Sequence, residues 1–416
     1  MNTASHAGLH ALAEGVILSP FTRLARLLAD IKPGHAKVIE MTAGDPNEAM
    51  PPFVVEKFKE AEASLGSYPK IRGTDELRQS IASWIDRRYQ LKPGIDAGRE
   101  IHPLNGSREG LFFALLPAVG RKKVTGRPLV LMPNPFYQAY LGSAYAANCE
   151  VMLLNATAAT GHLPDLDALE QRPDLLARAV AFYLCSPANP QGTMADAAYV
   201  TRALQLARQH NFMLFFDECY SEIYTGDAPV GGLEVAAALA LAVAEGKVGG
   251  RFKNLIVFNS LSKRSNLPGL RSGFAAGDGD FLETMAEIRN LTAPQMPGPV
   301  QHASAAVWAE EQHVTSIRQA YKAKFDICDE MLKGRFGYQR PAGGFFLWLD
   351  VSAFGSSIDA AVALWQRAGL MVVPGAYLAQ PDEHGYNPGE HYLRVALVHP
   401  PAVIREALSR IVKTIG

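Results

Sequence analysis

The fold of this chain is predicted from one stretch, Asn259-Ser-Leu-Ser-Lys-Arg-Ser-Asn-Leu-Pro-Gly-Leu-Arg-Ser-Gly273. The run before it, Leu255-Ile-Val-Phe258, is short, apolar and β-branched, which is typical of a buried strand. Pro268-Gly269 prevents a long helix, so Lys263 is predicted to lie in a tight turn after that strand. Arg271 follows shortly before the next apolar run. We therefore expect a loop at the end of a core strand that presents one lysine and one arginine among hydroxyl groups.

These residue types suit a cofactor that carries an aldehyde and a phosphate. A lysine in such a loop can lose its proton and condense with a carbonyl group. An arginine nearby can bind a phosphate through two parallel hydrogen bonds. Pyridoxal phosphate requires both. A solvated basic loop is the alternative, and Ser260, Ser262, Lys263 and Arg271 in this spacing favour the cofactor.

Length and composition are those of an ordinary globular enzyme. The chain has 416 residues, of which 48% are hydrophobic and 19% charged, and its formal net charge is −1. This balance gives no reason to expect nucleic acid or a membrane as a partner. Four scattered cysteines without metal spacing indicate free thiols in a reducing compartment, so no metal site is predicted. No signal peptide is predicted at the N-terminus, and we expect a cytoplasmic protein.

Further apolar runs predict the rest of a parallel sheet. Pro128–Met132, the run that starts at Val180 and Asn211–Phe216 each precede a turn or a polar motif. Strands that are apolar throughout are typical of a parallel sheet covered on both faces. The fold class is therefore α/β, with a ligand expected at the carboxyl ends of the strands.

Asp217 directly follows one of these apolar runs. A carboxylate at the end of a buried strand is costly unless it is paired. A protonated pyridine nitrogen would pair with it and keep the ring an electron sink. The alternative is that Asp217 caps the next helix.

The ordered motifs resemble those of the class I and II aminotransferases, which are fold-type I pyridoxal phosphate enzymes. Besides the lysine loop, the resemblance rests on Tyr68-x(4)-Gly-x(3)-Leu-Arg78, Gly106-Ser107, Asn134-Pro-x-Tyr137, Asn189-Pro-x-Gly192 and Asp217-x-x-Tyr220. It spans nearly the whole chain. Gly110 stands where the family usually has alanine.

The resemblance implies a role for each matched residue. Lys263 carries the cofactor and moves the α-proton, and Asp217 and Tyr220 are the other catalytic residues. The implied cofactor contacts are Gly106, Ser107, Arg108, Tyr137, Asn189, Asp217, Tyr220, Ser260, Ser262, Lys263, Arg271 and, from a neighbouring subunit, Tyr68. Tyr137 would stack on the ring, whereas Phe136 and Tyr140 are expected to fill the core. Ser107 as a helix cap and Tyr68 as loop packing remain the alternatives.

Three parts of the chain are predicted. Residues 1–45 form an arm that packs with the small domain, residues 46–290 a large cofactor domain with a mostly parallel sheet, and residues 291–416 a smaller α+β domain. Arg394 stands mid-strand among apolar residues, where a guanidinium needs a carboxylate. The family places its substrate arginine there, and an internal salt bridge is the alternative.

Longer strings, such as Asp217-Glu-Cys-Tyr-Ser-Glu-Ile-Tyr224, resemble the bacterial N-succinyldiaminopimelate aminotransferases. The resemblance implies glutamate as donor, a keto acid as acceptor and a homodimer with shared sites. The predicted substrate contacts are Arg394, Gly44, Asn189 and Arg289. Lys70, Arg72 and Arg264 are further candidates for a distal carboxylate.

Other specificities remain open, namely those of aspartate, aromatic or alanine aminotransferases. A carbon–sulfur lyase on the same fold would keep every cofactor contact. A transcriptional regulator would need a long helix-turn-helix domain, and only about 45 residues precede the first motif here.

Overall fold

A computed structural model describes residues 18–242 and 250–416. The predicted arm is therefore described only from residue 18 onward. In chain order the strands are Ile39–Glu40 (β1), Ile101–Leu104 (β2), Leu129–Asn134 (β3), Glu150–Asn155 (β4), Ala179–Cys185 (β5), Met213–Asp217 (β6), Leu255–Ser260 (β7), Gly273–Gly277 (β8), Phe346–Asp350 (β9), Leu370–Met371 (β10), Val373–Pro374 (β11) and Tyr392–Ala396 (β12).

The largest sheet has seven strands in the order β2-β8-β7-β6-β5-β3-β4. Neighbours pair in parallel from β4 across to β7, while β8 runs antiparallel to both β7 and β2. The predicted mostly parallel sheet is confirmed. Since β3, β5, β6 and β7 point the same way, their carboxyl ends meet along one edge, where open α/β sheets bind ligands.

Both faces of this sheet are buried, which explains its unbroken apolar runs. Every residue of β5, β6 and β7 is buried. In β6, Leu214 and Phe216 belong to one hydrophobic cluster, whereas Met213 and Phe215 belong to the cluster on the opposite face. Alternate side chains of a strand point to opposite faces, so a strand covered on both sides must be apolar at each position.

Helices cover the sheet and build the rest of the chain. The α-helices are Pro20–Leu28, Phe53–Glu60, Asp75–Tyr89, Ser107–Phe113, Leu115–Arg121, Gln138–Ala146, Leu166–Glu170, Pro173–Arg178, Ala197–His210, Gly232–Ala242, Leu261–Arg264, Gly279–Thr292, Gly298–Ala309, Gln312–Leu332, Ser357–Ala368 and Pro401–Ile415. Short 3₁₀ turns lie at Glu62–Gly66, Ala158–Thr160, Pro268–Leu270 and Gly375–Tyr377. None of the helices in the described ranges is long and apolar enough to cross a membrane.

A smaller unit follows the large sheet. Its strands β11, β12 and β9 pair antiparallel, as expected for the predicted α+β part, and β1 pairs in parallel with β10. The helix Pro20–Leu28 packs on the same unit through Leu24 and Leu28, beside Val373 and Tyr377. The described part of the arm thus packs on the smaller unit.

The helix Gly298–Ala309 packs on the large unit, although the sequence places it in the small domain. Its Trp308 ring centroid lies 4.8 Å from that of Trp84 and 5.1 Å from that of Phe274 on β8. Ala303, Ala305 and Val307 of this helix belong to the same core cluster as β6. This packing favours a boundary after residue 309 in place of the predicted residue 290, because the aromatic core is shared with the sheet.

We expect Trp308→Ala to destabilise the large unit by about 3–5 kcal/mol, since it leaves a large cavity between Trp84 and Phe274. Thermal unfolding should show a lower midpoint than that of the wild type. Leu241→Ala, at a position that is 73% exposed, is the control and should leave the midpoint within experimental scatter. An unchanged midpoint for Trp308→Ala would show that the helix does not contribute to this core.

Candidate active site

Lys263 lies in a one-turn helix, Leu261–Arg264, directly after β7. Ser260 caps this helix, because its Oγ accepts a hydrogen bond from Ser262 N at 3.1 Å and donates one to Ser272 O at 2.9 Å. Ser260 and Ser262 therefore hold the turn, and their predicted contact with the cofactor stays a prediction. The 3₁₀ turn Pro268–Leu270 follows, as Pro268-Gly269 in the sequence indicated.

The ammonium of Lys263 faces a loop from the N-terminal part of the chain. Its Nζ donates to the carbonyl oxygen of Gly44, lies 3.8 Å from Asp45 Oδ1, and lies 5.7 Å from the centroid of the Phe345 ring. Burial lowers the pKa of Lys263, and the nearby Asp45 carboxylate partly opposes this. A lysine that releases its proton more easily than usual is suited to act as nucleophile and base.

Asp217 ends β6 and is only 5% exposed. Its Oδ2 accepts a hydrogen bond from the Tyr140 hydroxyl at 2.7 Å, and its Oδ1 accepts one from Cys219 N at 3.2 Å. Burial raises the pKa of this carboxyl group, which the two hydrogen bonds counteract. Asp217 has no cationic partner within the described residues, so the site offers a buried carboxylate to a positively charged ligand.

Tyr140 is the site residue that sequence reasoning assigned to core filling alone. It does fill the core, since its ring stacks on Tyr183 with centroids 4.6 Å apart. Its hydroxyl, however, donates to Asp217 and orients that carboxylate. A buried tyrosine hydroxyl needs a hydrogen-bond partner, and that was the available signal.

Asn189, Tyr220 and Arg394 form a second part of the site. Asn189 follows β5 and donates through Nδ2 to the Tyr220 hydroxyl at 3.4 Å, while its Oδ1 accepts from Arg394 Nη1 at 3.3 Å. Tyr220 follows β6, and burial raises the pKa of its phenol, which keeps it a hydrogen-bond donor. The structure therefore brings together three residues that are far apart in the sequence.

Arg394 is buried on β12 without a carboxylate partner in the described chain. Its Nη2 donates to Thr42 O at 2.7 Å, its Nε has no partner there, and its guanidinium lies 4.6 Å from the Phe346 ring centroid. Burial lowers its pKa to about 10. The internal salt bridge that was the alternative reading is not found among the described residues. An uncompensated buried guanidinium is suited to receive an anionic ligand.

Backbone amides and an arginine lie at the other end of the site. Gly106 has φ 86° and precedes the helix Ser107–Phe113, and a Cβ at this position would overlap the Arg271 guanidinium. Arg271 donates through Nη2 to Asn105 O at 3.1 Å and through Nη1 to Pro268 O at 2.8 Å. Only glycine permits both this backbone conformation and this approach. The arrangement suits a phosphate, which takes hydrogen bonds from N–H groups and guanidinium.

Ser107 is the first residue of that helix, and Gly106 occupies the capping position. Ser107 Oγ accepts a hydrogen bond from the Cys219 thiol, with Sγ at 3.0 Å. Ser107 as a helix cap is thus not what the structure shows, and its hydroxyl can still donate to an anion. The phosphate end and Asp217 are linked through Cys219, which no sequence motif had indicated.

Arg108 and Tyr137 complete this side of the site. Arg108 Nε donates to the Tyr137 hydroxyl at 2.6 Å, and the Tyr137 ring meets Tyr140 edge-on with centroids 5.6 Å apart. Tyr137 is thereby held beside the residue that orients Asp217. Its stacking on the cofactor ring stays a prediction.

Two of the predicted distal cations are already engaged inside the chain, and this corrects the sequence analysis. Arg289 is 1% exposed and paired with Glu109, with Nη2 2.6 Å from Oε1, so it is not free for a substrate carboxylate. Arg264 is enclosed by two tryptophan rings and pairs with Glu311 at 2.5 Å. Glu109 also accepts a hydrogen bond from Asn105 N at 2.7 Å. Through Glu109, Arg289 therefore helps to hold the segment Asn105–Ser107, which lies beside Arg271.

The remaining candidates lie near Tyr68, which is 99% exposed. Arg72 contacts Glu283 in an exposed ion pair, and Lys70 is exposed. A tyrosine with so little packing on its own chain fits the predicted role toward a neighbouring subunit.

The three charged groups match the parts of pyridoxal phosphate. Asp217 is a buried carboxylate that lacks a cation, which suits the pyridine nitrogen. Lys263 suits the aldehyde, and the Ser107 amide with Arg271 suits the phosphate, whereas the Gly106 amide donates to Leu104 O at 2.7 Å. The residues present therefore fit the cofactor that the sequence predicts.

Comparison with known proteins agrees with this geometry. The family model for aminotransferase class I and II matches residues 36–411. An LL-diaminopimelate aminotransferase of Moorella thermoacetica is 30% identical over 403 residues, which is 95% of each chain. A crystal structure of an aminotransferase from Neisseria meningitidis is 35% identical with a TM-score of 0.89, covering 97% of this chain and 99% of that one. A Thermus thermophilus structure named as a probable N-succinyldiaminopimelate aminotransferase has a TM-score of 0.80 over 95% of this chain and 100% of that one, but at 24% identity it shows the fold alone.

We expect Asp217→Asn to stabilise the cofactor-free protein at pH 8 and to weaken cofactor binding at least about tenfold. The pKa of Asp217 is raised in the folded state. Its contribution to stability is therefore present at low pH and is lost as the pH rises through that pKa. Asparagine stays neutral, so its advantage should grow as the pH rises above the ordinary pKa of aspartate and should level off above the raised pKa of Asp217.

Urea unfolding of the cofactor-free protein at several pH values would measure this difference. Asp227→Asn, at an exposed position, is the matched control and should show no such pH dependence. If the difference between Asp217→Asn and the wild type does not change with pH, the carboxylate of Asp217 is not destabilised by burial.

Proposed function

Because the chain belongs to the class I and II aminotransferases and its cofactor is pyridoxal phosphate, we propose that it transfers the amino group of a diaminopimelate-type amino acid. The observation that carries the proposal is Arg394, a buried guanidinium without an ionic partner in the described residues, beside Asn189. An α-carboxylate would compensate this charge and place the amino group of the substrate near Lys263.

The residues of the chain have separate tasks in this reaction. The bound cofactor supplies an electron-poor ring that withdraws electrons from the substrate Cα. Asp217 holds a proton on the ring nitrogen by its negative charge, and Tyr140 keeps that carboxylate oriented. Asn189 and Tyr220 offer hydrogen bonds to the phenolic oxygen, and Arg394 holds the substrate carboxylate. These contacts orient the Cα–H bond before a proton moves.

Lys263 Nζ moves that proton. Burial lowers its pKa, so a neutral amine is accessible nearer to neutral pH than for an exposed lysine. Lys263 would both take and return this proton, while the bound cofactor would supply the acceptor that keeps the amino group when water enters and the donor leaves as a keto acid. A second keto acid then takes up the amino group by the reverse steps, which predicts ping-pong kinetics.

The diaminopimelate part of the proposal is supported by the relatives. Proteins named LL-diaminopimelate aminotransferase cover 95% of the chain at 30% identity. The N-succinyl derivative that the sequence strings predict stays a prediction. Both compounds carry a second carboxylate far from the reacting carbon, so they share the need for a distal cation. Arg289 and Arg264 are engaged, and Arg72 pairs with Glu283, so the exposed Lys70 beside Tyr68 is the predicted candidate that remains for that role. We propose a cytoplasmic location, as predicted from the free cysteines.

A panel of amino donors with 2-oxoglutarate as acceptor tests the substrate. LL-diaminopimelate and N-succinyldiaminopimelate should exceed aspartate, alanine, kynurenine and aromatic amino acids in kcat/KM. A missing distal pair should cost on the order of 10²-fold. The order of the first two compounds decides between the free and the succinylated substrate.

A clear lead for an aromatic donor or for alanine would overturn the diaminopimelate proposal and leave the aminotransferase family intact. Pyruvate release from cystathionine, measured in parallel, would identify a carbon–sulfur lyase.

We further propose a homodimer in which Tyr68 reaches the phosphate of the neighbouring site. The exposed Leu65 in the turn before it supports a covered surface here. Closed two-fold symmetry is the commonest arrangement of soluble oligomers.

Mixing two inactive variants tests this sharing. In a hybrid of Tyr68→Phe and Lys263→Ala chains, one site combines an intact Lys263 with an intact Tyr68 from the other chain. Refolded mixtures should therefore regain about a quarter of the wild-type activity, because about half of the dimers are hybrids with one intact site. No recovery, although Tyr68→Phe alone is impaired, would place Tyr68 in the site of its own chain.

A further inference from the structure

Residues 41–48 form a loop, here called the 41–48 loop, that contacts both functional cations. Thr42 O accepts a hydrogen bond from Arg394 Nη2 at 2.7 Å, and Gly44 O accepts one from Lys263 Nζ. The position of the loop therefore affects how each cation faces a ligand.

The loop is fixed firmly at its start only. Met41 N donates to Met371 O at 2.8 Å, and Met41 O accepts from Ala396 N at 2.9 Å. Residues 43–48 make no backbone–backbone hydrogen bond within the described chain. Side-chain contacts must therefore hold the rest of the loop.

One such contact involves a buried lysine. Lys324 in the helix Gln312–Leu332 has a side chain that is 1% exposed, and its Nζ lies 2.6 Å from Glu48 Oε1. The contact is an ion pair between a buried ammonium and a carboxylate that is partly exposed. The Tyr321 ring lies 4.7 Å away and provides the other compensation. A buried ammonium is costly without a partner, so Lys324 draws Glu48 toward the helix.

The same helix is fixed to the site at two other points. Arg318 Nη2 lies 2.9 Å from a carboxylate oxygen of Glu222. Glu222 is buried and follows Tyr220 by two residues in the sequence. Tyr321 stacks on Phe345 with centroids 5.2 Å apart, and Phe345 meets the Tyr220 ring edge-on at 5.5 Å. These contacts therefore fix the helix relative to Tyr220. Because Lys324 lies on this helix and pairs with Glu48, the same contacts also fix the end of the loop relative to Tyr220.

We propose that Lys324 is a positioning residue that, by pairing with Glu48, holds the 41–48 loop so that the Thr42 carbonyl orients Arg394 toward the substrate carboxylate. This inference rests on the proposed function only for the identity of the ligand, which is the substrate carboxylate. The order of the loop itself can be measured without substrate.

The test compares Glu48→Gln, Lys324→Met and the double variant with the wild type. Hydrogen exchange of the peptide that contains residues 41–48, measured in the cofactor-loaded protein without substrate, should be about tenfold faster in each single variant. KM for the amino donor should rise about tenfold, whereas kcat should change by less than about twofold. The cofactor dissociation constant should stay at the wild-type value, since the phosphate contacts come from the large unit. The double variant should be no worse than the single ones, because they remove the same contact.

Glu330→Gln is the matched control. Glu330 lies on the same helix as Lys324 and forms an exposed ion pair with Arg405. Its replacement should leave the exchange rate, KM, kcat and the cofactor dissociation constant unchanged. If Lys324→Met fails to fold, Glu48→Gln, in which the carboxylate is partly exposed, still decides the question.

Wild-type exchange rates in Glu48→Gln would overturn the proposal, as would additive effects in the double variant. A failure of the proposed function would give a different result. The wild-type protein would not use the amino donors, but Glu48→Gln would still show faster hydrogen exchange in the 41–48 loop than the wild type.

Discussion

The site depends on a carboxylate placed where the fold cannot compensate it. Asp217 ends a strand whose every residue is buried, and its hydrogen bonds within the described ranges come from the Tyr140 phenol and from Cys219, with no cation among its partners. Arg394 is the complementary case, a buried guanidinium bound to a carbonyl and an amide oxygen. The two charges do not pair with one another because the sheet of the large unit carries one and the small unit the other. Ligands that brought a cation to Asp217 and an anion to Arg394 would compensate both charges, so the electrostatic cost that weakens the empty site would favour their binding.

The fold keeps the charged groups of Asp217, Lys263 and Arg394 apart and fixes their relative positions. Asp217 and Lys263 follow adjacent parallel strands, so their separation is set by hydrogen bonds of the sheet. Arg394 is held in the antiparallel sheet opposite Trp348. Glu222 connects the two units, since its carboxylate binds both Arg88 of the large unit and Arg318 of the helix Gln312–Leu332. When residues of a site come from two packed units, such contacts fix the positions of those residues relative to one another.

Local features of the sequence predicted much of this, and contacts between distant residues limited the rest. Strand character and the turn after β7 follow from residue types within a short window, so Lys263 and Asp217 could be located directly. Arg289 could not be judged in that way, because its partner Glu109 lies 180 positions away. The second role of Tyr140 depended on the same kind of information, since Asp217 is 77 positions away. The sequence predicted a boundary at residue 290, but the apolar face of the helix Gly298–Ala309 does not reveal which core it meets, and in the structure it packs on the core of the large unit. Glu150–Asn155 was not predicted as a strand, although its apolar run Val151–Leu154 is the same kind of short signal that identified the other strands.

The pairing of β1 with β10 has a consequence for how the chain is made. Ile39 lies beside Leu370, so roughly 330 residues must leave the ribosome before this strand finds its partner. Until then Leu24 and Leu28 have no apolar surface to cover them, because Val373 and Tyr377 have not been synthesised. The sheet of the large unit, which is complete at Gly277, can assemble much earlier. Biosynthesis thus passes through a long stage in which a nearly finished enzyme carries an uncovered amphipathic helix at its start, the kind of segment to which chaperones bind.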